Sequence, residues 1–214
     1  MMQFDRIWQK IAPRSITGII PDEDKDKFFE ELANINYNRT RILSSIILIV
    51  LAIIFFTDYD NYIKGLWHLM PGYRYLFLGH LFLALGIFIN LFLVLFQRLS
   101  GRGVTTGDKK RFVLMFNLIV AVSASFISTA DQLIHGEITV FVLCIFGLAV
   151  LNYIRPKVLI TILAISYALL MTGITDVQSN VDMLRGHYIN ATVLVIIAAA
   201  LSALLYQAKV NDFL

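Results

Sequence analysis

All four histidines of the chain fall on the same side of its predicted apolar helices, in the loops there or at the adjoining helix ends. Several carboxylates fall on that side with them. Imidazole and carboxylate groups bind zinc and related ions, and imidazole also titrates near neutral pH. No two histidines stand four residues apart on one predicted helix, as in a metalloprotease site. Three interpretations therefore stay open: a metal or proton sensor, a pocket for an organic ligand, and a set of solvated or interfacial side chains. The candidate sensing residues are His80, Asp131, His135, Glu137 and His187.

Three asparagines fall inside predicted apolar helices, where an unpaired polar side chain is costly. Asn90, Asn117 and Asn152 are all expected near the same face of the membrane, so mutual hydrogen bonds would tie three helices together. The simpler interpretation is packing, since such contacts contribute about 0.6 kcal/mol each. The functional interpretation is a polar layer with two hydrogen-bonding arrangements that passes a conformational change inward.

Catalytic patterns are absent from the sequence. No Ser, His and Asp arrangement and no paired-carboxylate site can be assembled, so the chain is predicted not to be an enzyme. Cys144 is the only cysteine, which excludes an intrachain disulfide, and it is expected to be a buried thiol. Apart from a metal ion at the histidines, we expect no cofactor.

The elements that carry these residues are predicted from composition. Of 214 residues, 58% are hydrophobic and 15% are charged, and the mean hydropathy is +0.73. Several uncharged runs approach the roughly 20 residues that a membrane helix needs, and their continuity excludes the alternating strands of a β-barrel. The sequence predicts an all-α membrane protein built as a six-transmembrane-helix bundle. The predicted spans are 39–57, 75–96, 112–130, 138–154, 158–174 and 188–207.

The lysines and arginines predict the orientation. Fifteen of the 18 lie before the first span, in alternate connections after it, and in the tail. Only Lys64, Arg74 and Arg185 lie on the other side, so the positive-inside rule places both termini in the cytoplasm of a bacterial cell. Because the basic residues serve as topology signals in the inner membrane, we expect no nucleic-acid partner.

Two flanking segments surround the predicted membrane domain. Residues 1–38 are charged and amphipathic, with a short helix around Trp8 that lies either in the headgroup region or on the protein. A second helix starts at Pro21 and runs into the first span. No removable signal peptide is expected. Residues 208–214 continue the helical pattern and are predicted to begin a cytoplasmic coupling helix.

Small residues concentrate in the last predicted span, where they permit close contact between helix backbones. Ala198 and Ser202 stand four residues apart, as do Ala199 and Ala203. Such a face packs either within the bundle or against a second copy of the chain.

Four short motifs carry a resemblance to a known family: Asn36–Leu43, Asp131–Thr139, Tyr153–Lys157 and Tyr188–Asn190. With them the chain resembles the six-helix input modules of bacterial membrane diguanylate cyclases, and membrane-bound class III adenylate cyclases have a similar layout. The resemblance implies a homodimer and a cytoplasmic output domain after Leu214, a GGDEF domain that produces cyclic di-GMP. The chain itself contains no GGDEF motif, so the activity does not extend to it.

Two functions follow as hypotheses. The first is a sensory and dimerising membrane module that relays an extracytoplasmic or membrane signal to a cytoplasmic output domain. The alternative is a self-contained transporter or channel for an ion or small solute, with the three asparagines along its path. The lack of acidic or basic residues deep within the predicted spans favours the first.

Overall fold

The computed structural model of the chain describes residues 20–101 and 103–214. Within these ranges the protein is helical and contains no strand, so the all-α prediction is confirmed there. The predicted helix around Trp8 lies outside the described residues. The helices are α1 (Asp22–Ile63), α2 (Leu66–Leu69), α3 (Pro71–Leu99), α4 (Thr106–Asp131), α5 (Thr139–Leu151), α6 (Pro156–Val177) and α7 (Val181–Phe213).

Five of these helices, α1, α3, α4, α6 and α7, are long and apolar enough to cross a membrane. The chain is therefore a multi-pass membrane protein. Many large apolar side chains on α1 and α3 are exposed, as expected for surfaces that contact lipid. The thiol of Cys144, expected to be buried, is half-buried on α5.

Helix α1 is unusually long for a membrane helix. It begins directly after Pro21 and carries Asp22, Glu23 and Asp24 in its first turn, where acidic groups complement the helix dipole. Its 42 residues give a length of about 63 Å, roughly twice the thickness of the hydrocarbon core. One uninterrupted helix therefore crosses the apolar part of the bundle and also extends well beyond it.

The segment predicted as a helical span at 138–154 differs in the structure. Helix α5 has only 13 residues; the chain is non-helical from Asn152 to Arg155, and the backbones of Asn152 and Arg155 are extended. We call residues 152–155 the extended segment after α5. Pro156 accounts for the extended backbone of Arg155, because a proline disfavours the helical conformation in the residue before it. The helix is four residues shorter than the predicted span of 138–154, and its 13 residues reach only about 20 Å.

Helix α4 lies at the centre of the bundle and packs against α1, α3, α5 and α6, while α7 packs on α5 and α6. Six of its twelve buried residues are alanine or serine, so the helices approach closely. The Ser125 hydroxyl lies 2.8 Å from the carbonyl oxygen of Ser166, and the Ser166 hydroxyl donates to the carbonyl of Ala121 at 2.8 Å. These bonds attach α6 to the middle of α4.

The two ends of the bundle differ in their side chains. We call the end that carries Arg39, Lys110 and Arg155 the basic end, and the end that carries His135 and His187 the histidine end. Contacts between helices show that the long helices alternate in direction between these two ends.

A close contact between α6 and α4 gives the first prediction. A Cβ atom at Gly173 would lie 2.7 Å from Cγ2 and 3.1 Å from Cβ of Thr129. We expect Gly173→Ala to destabilise the protein by about 1–3 kcal/mol, because the helices must separate to make room. Thermal unfolding in detergent, followed by circular dichroism, measures the change.

The control is Gly186→Ala in α7, where a new Cβ meets no atom within 4 Å. Alanine favours a helix over glycine by up to about 1 kcal/mol, so this variant should be as stable as the parent or more so. Equal behaviour of the two variants would contradict the close contact.

Candidate functional site

A buried carboxylate and a histidine meet between α1 and α3. The Oδ2 atom of Asp58 lies 2.8 Å from Nδ1 of His80, and their side chains are 7% and 13% exposed. A buried charge is stable only when it is paired or hydrogen-bonded. Ionisable groups within membrane helices are functional candidates by default.

Sequence reasoning groups Asp58 with the carboxylates beside the histidines but does not select it as a candidate sensing residue. The apolar run ends at Thr57, which makes Asp58 look like a loop acid, whereas α1 continues to Ile63 and turns Asp58 toward α3. The spacing of residues along α1 could have indicated that Asp58 is buried. Ser44, Leu51 and Asp58 are seven residues apart and all buried, so they share one face of α1.

Aromatic rings surround the exposed side of this pair. Trp67 of α2 lies 5.1 Å from the ring of Tyr62 and 5.0 Å from the ring of Phe77. Together with Asp58, these rings line an open groove of about 430 Å³. Aromatic faces beside a carboxylate are suited to binding cations.

Four of the five candidate sensing residues come together at the histidine end. Nδ1 of His135 lies 2.7 Å from Asp131, whose second oxygen accepts from the backbone N–H of Glu137 at 3.2 Å. Nε2 of His187 lies 3.0 Å from the carbonyl oxygen of Gly136, a residue with φ of +75°. Most of these polar groups thus stabilise the turn after α4 and attach it to α7.

The fifth candidate, His80, lies apart from this turn and bonds to Asp58. The sequence therefore proposed one site where the structure has two. In residues 20–101 and 103–214, no three His, Cys, Asp or Glu side chains group closely enough to hold a metal ion.

Two of the three candidate asparagines meet near the basic end. Nδ2 of Asn152 lies 3.4 Å from Oδ1 of Asn117, and Thr40 donates to Oδ1 of Asn152 at 3.2 Å. Asn90 does not join them, because its amide donates to the carbonyl of Phe112 at 3.0 Å. The layer links α1, α4 and the residue after α5, while Asn90 separately links α3 to α4.

The extended segment after α5 is held by a side chain of α1. Asn36 donates to the carbonyl of Tyr153 at 2.9 Å and accepts from its N–H at 2.8 Å. The guanidinium of Arg39 lies 4.5 Å from the centre of the Tyr153 ring. These side-chain contacts replace the backbone hydrogen bonds that a helix would supply. Membrane proteins require such replacements wherever a helix is interrupted.

Sequence reasoning also misses Asn36 and Thr40. Asn36, Thr40 and Ser44 are four residues apart and buried, a polar stripe on one face of α1. A polar stripe of this kind indicates that a polar group of another element packs against that face of α1.

At the basic end, the first turns of α1 pack against the last turns of α7. The Phe28 ring lies 6.3 Å from the ring of Tyr206 and 5.1 Å from that of Phe213. Nζ of Lys209 lies 2.8 Å from Glu31. We call this contact the terminal cluster; it joins the two helices that extend furthest from the bundle.

The small residues of α7 divide between two surroundings. Ala198 and Ser202 are buried within the bundle, where α7 packs on α5 and α6, and Ala199 and Ala203 are half-buried. The first pair therefore provides close packing within one chain.

Comparison of the chain with family models, with curated proteins and with solved structures gives no match.

Proposed function

We propose that this chain is a sensory and dimerising membrane module that transmits a signal from the histidine end to the basic end. In this proposal both termini are cytoplasmic, the six crossing segments lie in a bacterial inner membrane, and the output is a cytoplasmic domain that follows α7. The basic residues support the orientation through the positive-inside rule. The resemblance to diguanylate cyclase input modules supports the class of output.

The continuity of α1 carries the proposal. The same helix holds Asp58 against His80 at one end and packs Phe28 against Tyr206 and Phe213 at the other. A helix without interruption moves as a unit, so a shift of Asp58 is passed to the terminal cluster. Shifts of about 1–2 Å between packed helices are sufficient for switching in known proteins.

The extended segment after α5 provides an element with two arrangements. Asn36 and Thr40 of α1 bind Tyr153 and Asn152 through side-chain hydrogen bonds. A shift of α1 by about 1–2 Å relative to this segment would break or re-form these bonds. A signal selects one arrangement only if it binds that arrangement more tightly than the other.

The test perturbs the buried pair and measures the opposite end of α1. Spin labels are placed at the exposed positions Lys27 and Asn211, in a Cys144→Ala background, and the distance between them is measured in nanodiscs by pulsed electron spin resonance. We expect Asp58→Asn, which removes the charge but keeps the shape, to shift the main distance by about 1–2 Å.

The matched control is Asp60→Asn, the same substitution two residues further along α1. Asp60 is exposed and forms its ion pair with Lys64, the residue that directly follows α1, so the distance should not change. An unchanged distance in both variants would refute transmission through α1.

A transporter remains the second candidate because of one observation. The Asp58–His80 pair places ionisable groups between two membrane helices, as proton-coupled transporters do. Proton flux into vesicles that contain the purified chain, lost in Asp58→Asn, would favour this function over the sensor.

A further inference from the structure

A cavity of about 270 Å³ opens at the basic end, between α1, α4 and the extended segment after α5. Its inner wall is apolar, with Leu32 and Ala33 of α1 and Val113 of α4. Its outer wall includes Leu114 and Val158, which are 41% and 37% exposed. Because these two side chains lie on the apolar outer surface of the bundle, the cavity opens toward the acyl chains of the surrounding lipid.

Positive charge lies at the rim of this cavity. Lys110 and Arg155 line it, and none of the lining residues in the described part of the chain is acidic. Both cations lie over the ring of Phe29, at 5.6 Å for the Lys110 ammonium and 4.1 Å for the Arg155 guanidinium. In residues 20–101 and 103–214 neither forms an ion pair with a carboxylate. Within the described part of the chain, a bound anion would therefore meet no competing carboxylate at these cations.

The beginning of α6 adds to this electrostatic pattern. Helix α6 begins at Pro156, directly after Arg155, so the positive end of its dipole lies at the same rim. The side-chain amide of Asn36, which also lines the cavity, is occupied by the backbone of Tyr153 and fixes the position of that wall.

We propose that this cavity is a binding site for an anionic phospholipid of the adjacent leaflet. The headgroup phosphate binds between Lys110 and Arg155, and the upper part of one acyl chain lies between Leu114 and Val158. Basic pockets between membrane helices bind lipid headgroups in this way. The bound lipid contacts α1, α4 and the extended segment at once, so its affinity depends on how these elements are arranged. The site requires only that the basic end lie at a membrane surface, and it is independent of the sensory function.

The experiment compares lipid retention by variants of the full chain. The purified protein is exchanged into nanodiscs or micelles with phosphatidylglycerol or phosphatidylcholine, and retained lipid is counted by native mass spectrometry. For Lys110→Gln with Arg155→Gln we expect retention of phosphatidylglycerol to weaken roughly 25-fold, since each cation contributes a factor of about five. Retention of phosphatidylcholine should stay the same.

The matched control removes one lysine and one arginine from adjacent positions outside the cavity lining. Arg111 and Lys157 are exposed and do not line the cavity, so Arg111→Gln with Lys157→Gln should leave retention within about twofold, because general surface charge contributes weakly to a defined site. Equal losses in the two double variants would overturn the site. Displacement of the lipid by inorganic phosphate at a similar concentration would also overturn it, in favour of a simple anion site.

A second measurement uses only the parent protein and does not depend on the folding of a variant. A photoactivatable phosphatidylglycerol with its reactive group on the upper acyl chain is crosslinked in nanodiscs, and the modified peptides are identified by mass spectrometry. Labelling concentrated on Leu114 and Val158 supports the site. Labelling spread evenly over the exposed apolar face of α3 would overturn it.

Discussion

Replacing His80 by leucine is expected to destabilise the folded protein by about 3–5 kcal/mol. His80 bonds to Asp58 at 2.8 Å in a buried place, and removing one partner of a buried pair leaves an uncompensated charge. Unfolding in mixed micelles by denaturant, followed by circular dichroism, measures the free energy. The expected loss is a large fraction of the total stability of most proteins.

Two comparisons separate this effect from a general loss of packing. Changing both residues to leucine removes the charge together with its partner, so the double variant should be clearly more stable than His80→Leu alone. His135→Leu breaks a similar contact with Asp131, but His135 is exposed, and its loss should cost less than about 1 kcal/mol. A double variant as unstable as the single one would argue against a charged pair.

Replacing Asn36 by leucine is expected to cost about 2–5 kcal/mol. Its amide satisfies both the N–H and the carbonyl of Tyr153, and each buried backbone group left without a partner costs about 1–3 kcal/mol. The same unfolding measurement applies. Hydrogen exchange at the Tyr153 amide should also accelerate, because that proton loses its acceptor.

The natural control is Asn38→Leu, two residues along the same helix. Asn38 is exposed, so its replacement should change the stability by less than about 0.5 kcal/mol. If Asn36→Leu were equally mild, water or another side chain would have to satisfy Tyr153, and the role of Asn36 would be refuted.

The helical segments were predictable because hydrophobic runs of membrane length leave the backbone no alternative but to satisfy its own hydrogen bonds. The end of α5 was not predictable from the run alone. Hydropathy continues through Leu151, and Pro156 explains only the residue before it. The decisive partner of Tyr153 is Asn36, 117 residues away in sequence. The residue pattern around Tyr153 gives no information about a hydrogen bond to a partner so distant in sequence.

The candidate sites show the same limit. The sequence placed five polar candidates at one end, and the turn from Asp131 to Glu137 brings four of them close. The sequence could not show that the polar atoms of these residues form hydrogen bonds within the turn itself. Asp58 was grouped with the loop carboxylates because its helix extends past the last apolar residue, and the sequence does not show its bond to His80.

The bond between Asn36 and Tyr153 also constrains how the protein is made. At a synthesis rate of about 5–20 residues per second, Tyr153 is added roughly 6–23 s after Asn36. During that interval the amide of Asn36 has no partner within the chain. Its position near the basic end, close to a membrane surface, lets water satisfy it, which would be impossible at the bilayer centre. The newly made α1 can therefore wait in the membrane until α5 and the segment that follows it have been inserted.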